Sequence, residues 1–168
     1  MMTSKKADLA GPGIGNYNDV EKILPKGYKS LLSQKDTQKA IFAAKRYIED
    51  NLCKELNLMM VTVPLIVDKD SGVNDYLDRD GSRTPVEFPC GLGINPRIQA
   101  QVVQAATKWK RMALREFDCK VGEGINTDMR AVRKDYFLDH DHSSYVDQWD
   151  WERVITKDQR NIAYLKDT

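Results

Sequence analysis

Eleven residues decide the fold: Ser143–Arg153, reading S-S-Y-V-D-Q-W-D-W-E-R. Tyr145, Asp147, Trp149 and Trp151 fall on odd positions, and Val146, Gln148, Asp150 and Glu152 on even ones. A pleated strand sends alternate side chains to opposite faces. The alternation therefore predicts a strand with one packed, aromatic face and one row of hydrogen-bonding groups. The polar row has two readings, a face open to water or the floor of a site. Asp147 is the exception, an acid on the tryptophan side, and it requires a basic or N–H partner there.

The flanks place this strand in a hairpin. Upstream, Met129–Lys134 reads M-R-A-V-R-K and forms the partner strand. Lys134–His142 is the polar connection, with His140 and His142 among Asp139 and Asp141. Two histidines in H-D-H spacing with no third ligand of fixed geometry do not make a metal site. Gly122-Glu123-Gly124-Ile125 reads as a turn. Downstream, Thr156 caps a final helix starting at Lys157, with Ile162 and Leu165 as its apolar face.

Farther out, Asp36–Leu56 is a helix. Ile41, Ala44, Ile48, Leu52 and Leu56 form one apolar stripe, and Asp36 or Thr37 caps the start. It feeds Leu58–Val67, L-M-M-V-T-V-P-L-I-V, a strand ended by Pro64, which lacks the N–H a ladder needs. Helix and strand pack either on a partner subunit or on their own core. Asp68–Arg83 is a polar loop, either mobile surface or a lid. Its acids miss the calcium-loop pattern, because Tyr76 falls on the first ligand position. Short strands follow at Val86–Phe88 and Ile98–Val103. A helix over Ala105–Phe117 carries Lys108, Lys110 and Arg111 near its start. Met1–Gly15 is a flexible lead-in, and its Gly11-Pro12-Gly13-Ile14-Gly15 has no strand before it or helix after it to make a phosphate loop.

Composition narrows the function classes. The 168 residues make one ordinary domain or a large piece of one. Hydrophobic residues are 41% and charged residues 30%, as in globular proteins. With 26 basic and 25 acidic residues the net charge is +1, which gives no electrostatic case for nucleic acid or membrane partners. Cys53, Cys90 and Cys119 lack framework spacing and read as reduced thiols. No apolar run approaches the ~20 residues of a spanning helix, and no secretory signal opens the chain. Cytoplasm is the expected location.

Several of these stretches together resemble one family. K-W-K-R at Lys108–Arg111, G-E-G-I at Gly122–Ile125, M-R-A-V-R ending at Arg133 and Y-V-D-Q-W-D-W-E-R at Tyr145–Arg153 look like signatures of the ammonia-dependent asparagine synthetases, the A-type aspartate–ammonia ligases. The L-x-L-x-x-V-x-x-P-L pattern from Leu56 through Leu65, and a short stretch ending in Asp75, are similar too. The motifs keep the family's order over roughly Asp36 to Lys166.

The resemblance implies an α+β fold, an antiparallel sheet flanked by helices like the catalytic domain of class II aminoacyl-tRNA synthetases, assembled as a homodimer. It implies that residues 1–35 are a lead-in and that 36–168 are a C-terminally truncated, partial catalytic domain, since the family is about twice as long. The implied reaction makes L-asparagine from L-aspartate, ammonia and ATP through a β-aspartyl-adenylate, with Mg²⁺, releasing AMP and pyrophosphate. Asp75 and Asp150 suit the α-ammonium of aspartate and Lys110 suits a carboxylate. Gln148 donates and accepts, which fixes orientation. Arg133 clamps the α-phosphate and the attacking carboxylate. Arg133 and Lys110 are thus the catalytic candidates, Arg133 is also the nucleotide contact, and no residue is assigned to metal. Where the family has His-Ser before K-W-K-R, this chain has Gln104 and Ala105. The alternative function is a non-catalytic remnant, a dimer-forming or amino-acid-binding module.

Overall fold

The computed structural model describes residues 25–168, apart from Arg79 and Phe137. The Gly11–Gly15 stretch and most of the lead-in lie outside the described residues. The fold is α+β. Helix α1 spans Gln34–Leu56, and strands β1 and β2 follow at Leu58–Thr62 and Ile66–Asp68. After a 3-10 turn at Lys69–Ser71 come β3 (Glu87–Cys90), β4 (Ile98–Val102) and helix α2 (Thr107–Glu116). The hairpin β5 (Gly124–Val132) and β6 (Tyr145–Arg153) and a short helix α3 (Ile162–Asp167) complete the order.

The expected antiparallel sheet is in fact two sheets, one of them mixed. In the first, ordered β1-β5-β6, β1 runs parallel to β5 while β5 and β6 are antiparallel. In the second, ordered β2-β4-β3, all pairs are antiparallel. A parallel pair needs a long crossover, and the whole β2-to-α2 segment supplies it between β1 and β5. Pro64 stands just past β1, as its missing N–H requires, and the chain there passes from one sheet to the other. The sheets are stitched where Val103 N–H donates to Leu65 O (2.9 Å) and Val132 N–H to Val103 O (3.0 Å).

α1 is capped by Ser33, not by Asp36 or Thr37. Ser33 Oγ accepts from Asp36 N–H (3.1 Å) and donates to the Asp36 carboxylate (2.7 Å), so the serine, one turn earlier, takes the cap and Asp36 supports it. The helix lies across one face of the mixed sheet, with Lys45 Nζ on Asp147 (2.9 Å) and Trp149 Nε1 on Glu49 (3.2 Å). Asp147 thereby finds the basic partner that its position demanded. The predicted apolar stripe is largely uncovered: among its members only Leu56 is buried, while Ile41 and Ile48 are exposed, as are the neighbouring Phe42 and Tyr47.

The face expected to be packed is the more open one. Trp149 and Trp151 stay 36% and 37% exposed, whereas Gln148, Asp150 and Glu152 are half-buried. The reason is the placement of the core. Register pairs Met129 with Gln148, Thr127 with Asp150 and Ile125 with Glu152, so these six share one face. That face carries α2. Val63, Val103, Ala106, Met129 and Ala131 close the core there, with Val67 and Trp109 packed on it. Ile125 and Met129 are fully buried, each contributing about 1.5–3 kcal/mol of transfer free energy.

Two boundaries move. The predicted turn at Gly122–Ile125 ends sooner, because β5 begins at Gly124, which a side chain could not replace: a Cβ there would stand 2.8 Å from Arg153 Cα. The last helix starts at Ile162, capped by Asn161 Oδ1 on Tyr164 N–H (2.9 Å), while Gln159 occupies Thr156 N–H (2.8 Å) and holds the preceding residues in turns. Its Ile162 and Leu165 are 72% and 74% exposed and form no packed face among the described residues. No helix among the described residues is long and apolar enough to cross a membrane.

Candidate functional site

The polar ledge of β6 meets α2 at Lys110. A lysine at this point of the helix turns inward over β5, and only 3% of it is exposed. Its Nζ lies 2.5 Å from Asp150 Oδ1 and 3.6 Å from Glu152 Oε2, and also donates to Trp151 O at 3.5 Å. Burying an ammonium is costly unless it is paired and hydrogen-bonded, and the two acids with the carbonyl satisfy that need. Arg111, on the solvent side of the same helix, takes the outer oxygen of Glu152 at 3.5 Å. Two carboxylates, Asp150 and Glu152, thus meet two cations, Lys110 and Arg111, in a charge-balanced ledge at the edge of the core.

Gln148 stands one pleat from Asp150 on the same face, about 7 Å along the strand, and its amide makes no hydrogen bond among the described residues. Thr127, opposite Asp150, donates its hydroxyl to Asp150 O and fixes that part of the ladder. Asp75 reaches the same helix from below. Its Oδ2 accepts Lys108 N–H at 2.9 Å, and its Oδ1 lies 3.9 Å from Lys108 Nζ. The carboxylate thus caps α2, at the end where the helix dipole favours negative charge. That role is structural, and it holds Asp75 beside the helix that carries Lys110.

Arg133 is elsewhere. The ladder ends at Val132–Tyr145, so Arg133 lies past it and not opposite Gln148 and Asp150 as expected. Its N–H donates to Ser144 O (2.7 Å), its guanidinium sits 5.7 Å from the Tyr136 ring centre, and its Nε is buried with no hydrogen-bond partner among the described residues. The structure therefore joins Lys110 to Asp150 with Gln148 on the same strand face, holds Asp75 at the start of α2, and places Arg133 just past the hairpin ladder, next to the Val132 that bonds Val103.

Two features had no local signal in the sequence. Glu152 was visible only as one of the even positions, and its share in holding Lys110 depends on where α2 lands. The second is a chain of buried amides behind the site. Asn74 Nδ2 donates to Gln101 Oε1 and to Val102 O (both 3.2 Å), and Asn74 Oδ1 accepts Gln104 N–H (3.0 Å). Gln101 passes on to Tyr76 OH (3.1 Å) and Glu87 (2.7 Å). A salt bridge from Lys69, with the Gln101 bond, holds the Glu87 carboxyl below its ordinary value.

The H-D-H loop is an exposed turn held by its own groups. Donor atoms of Asp139, His140 and Asp141 lie within 4.8 Å of one another. Asp139 already accepts the Asp141 and His142 N–H groups and His142 Nδ1 (2.8 Å). A cavity of about 490 Å³ lies between the end of β6 and α3, with Trp151, Glu152, Ile155, Ile162 and Leu165 in its wall.

Comparison with known proteins agrees with the motifs. The family model described as aspartate–ammonia ligase matches residues 35–168. An aspartate–ammonia ligase of Clostridium perfringens is 48% identical over 150 residues, covering 89% of this chain and 44% of that relative. Those of Bacteroides thetaiotaomicron and Bacillus cytotoxicus are 48% and 43% identical, over 86% and 84% of the chain and 41% and 42% of their own lengths. The chain thus spans less than half the length of these relatives. The match runs through α1, both sheets and the α2–β6 ledge, and the chain belongs to the aspartate–ammonia ligase family.

Proposed function

We propose that the chain serves the synthesis of L-asparagine from L-aspartate, ammonia and ATP, passing through a β-aspartyl-adenylate and releasing AMP and pyrophosphate. The observation that carries this reading is the buried Lys110 held between Asp150 and Glu152 on the polar face of Y-V-D-Q-W-D-W-E-R. The α-ammonium of aspartate binds at the half-buried Asp150 carboxylate, with Asp75 as the second acid. Lys110 is the cation nearest that carboxylate and turns toward a substrate carboxylate when one enters. The free Gln148 amide bonds either end of the amino acid. Arg133 receives the α-phosphate, for which its unpaired Nε is an available donor. Such chemistry rests on positioning and charge neutralisation, so no nucleophilic side chain is required.

Mg²⁺ would arrive with the phosphates of ATP. A hard cation needs open carboxylate oxygens. The Glu152 oxygens are engaged by Lys110 and Arg111 and those of Asp75 by Lys108, while Asp150 keeps one oxygen for the substrate ammonium, so no ligand for Mg²⁺ is assigned among the described residues. The class II synthetase-like architecture, a cytoplasmic setting and a homodimer belong to the same reading. For the dimer, the exposed Ile41, Phe42 and Tyr47 of α1 offer the surface.

A second reading, an amino-acid-binding or dimer-forming module without turnover, is favoured by the same exposed helix. Aspartate-dependent exchange of labelled pyrophosphate into ATP, with Mg²⁺, separates the two. Exchange above the aspartate-free control supports adenylation, and aspartate binding with no exchange supports the module.

A further inference from the structure

Gln104 lies between β4 and α2, two residues past the strand, and is fully buried. Its N–H donates to Asn74 Oδ1, and its Nε2 reaches Arg83 O at a long 3.5 Å. Its Oε1 has no hydrogen-bond partner among the described residues. An unpaired buried carbonyl carries its full desolvation cost, and such an atom in a folded protein calls for a partner from outside the chain. The amide cannot be turned over to relieve it, since its oxygen would then face the Arg83 carbonyl.

The surroundings say what that partner is. Asn74, bonded to Gln104, precedes Asp75, whose N–H donates to Ala105 O (3.4 Å). The Asn74–Asp75 segment thus runs alongside Gln104 and Ala105. A carbonyl oxygen only accepts, so its partner is an N–H or O–H donor, and ionised phosphates and carboxylates are excluded. Among such donors an ammonium is the one that the acid of the neighbouring Asn74–Asp75 segment also favours. The cover over Gln104 is the Arg83 segment, held by contacts near the surface. These are Arg83 on Asp78 (3.1 Å) and over the Tyr136 ring (4.0 Å), and Thr84 N–H on Asp135 (3.1 Å). Exposed contacts of this kind are weak, so the segment lifts at small cost.

We propose that Gln104 is a ligand-contacting residue whose Oε1 accepts an N–H from the α-ammonium of the amino-acid substrate, alongside Asp75, once the Arg83 segment lifts. This rests on the reading of L-aspartate as substrate. It makes Gln104 a determinant for amino acids over dicarboxylates that lack the ammonium.

Calorimetric titration of the full chain with L-aspartate and with succinate tests it, in wild type, Gln104→Met and Gln104→His. Gln104→Met is expected to weaken L-aspartate roughly tenfold or more, the worth of a hydrogen bond to a charged group, and to leave succinate unchanged. Gln104→His, an acceptor only when neutral, should bind L-aspartate at pH 8 and lose it as pH falls through the ordinary histidine value of about 6.5, while wild type stays level. Equal weakening of both ligands, or no change, overturns the assignment and leaves aspartate binding intact. A folded wild-type chain that binds no aspartate overturns the substrate reading and this assignment with it. If Gln104→Met does not fold, the pH dependence of Gln104→His decides alone, and a level profile there refutes the proposal.

Discussion

Replacing Lys110 with methionine keeps the stem of the side chain and removes its charge. Asp150 and Glu152 then face each other across the space the ammonium held, with Lys110 Nζ gone from 2.5 and 3.6 Å. Breaking a fully buried pair costs about 3–5 kcal/mol. Here the lysine is 3% exposed but the acids are 34% and 27% exposed, so water screens part of their repulsion. A loss of about 2–3 kcal/mol is expected. For a domain of this size that lowers the melting temperature by roughly 4–12 °C. Thermal unfolding followed by circular dichroism at pH 7 measures it. Adding Asp150→Asn to Lys110→Met should cost less than the two single changes together, because the neutral amide no longer repels Glu152. A methionine variant melting with the wild type, or strictly additive losses in the double variant, would refute the claim that this pair anchors α2 to β6.

Two further outcomes follow from the same geometry. Asp75→Ala removes the carboxylate that caps α2 at Lys108 N–H. It should lower stability by about 0.5–2 kcal/mol, read in urea unfolding, with Asp75→Asn recovering most of that loss but not aspartate affinity. The bonded Asp139 carboxylate raises the His142 value above its ordinary one, against a small opposing effect of burial. The turn is therefore stabilised in full below the ordinary histidine value and loses that stabilisation as pH climbs through the raised one. A proton NMR titration should show a His142 midpoint above about 6.5, returning toward it in Asp139→Asn, and identical midpoints in both proteins would remove the pairing.

The alternation of Tyr145–Glu152 identified β6 and the composition of its two faces, because a period of two is a local property. It did not tell which face is covered. That depends on α2 crossing β5 on the even side, a tertiary event, and so the tryptophans were misplaced in the core. Lys110 gave the same difficulty from the other direction. Among Lys108, Trp109 and Arg111 no local signal sets its burial apart, yet the helix rotation sends it inward. Asp147 was the reverse case. An acid on an aromatic face must have a partner, and Lys45 is a hundred residues away in sequence but on the helix laid over that face. The parallel pairing of β1 with β5 was hidden for a related reason, since strand direction is set by a crossover and leaves no mark in either strand. The buried amides of Asn74, Gln101 and Gln104 look like ordinary polar residues until the loop and β4 come together.

The most direct test of the account is an amide and side-chain NMR titration of the purified chain with L-aspartate. Saturable shifts at the Gln148 side-chain amide, Asp150, Lys110 and Asp75, with the Trp149 indole on the α1 face unmoved, are predicted. Shifts confined to the Trp149 face or to the cavity beside α3, or none at concentrations that saturate the family's substrate site in a longer relative, would contradict it.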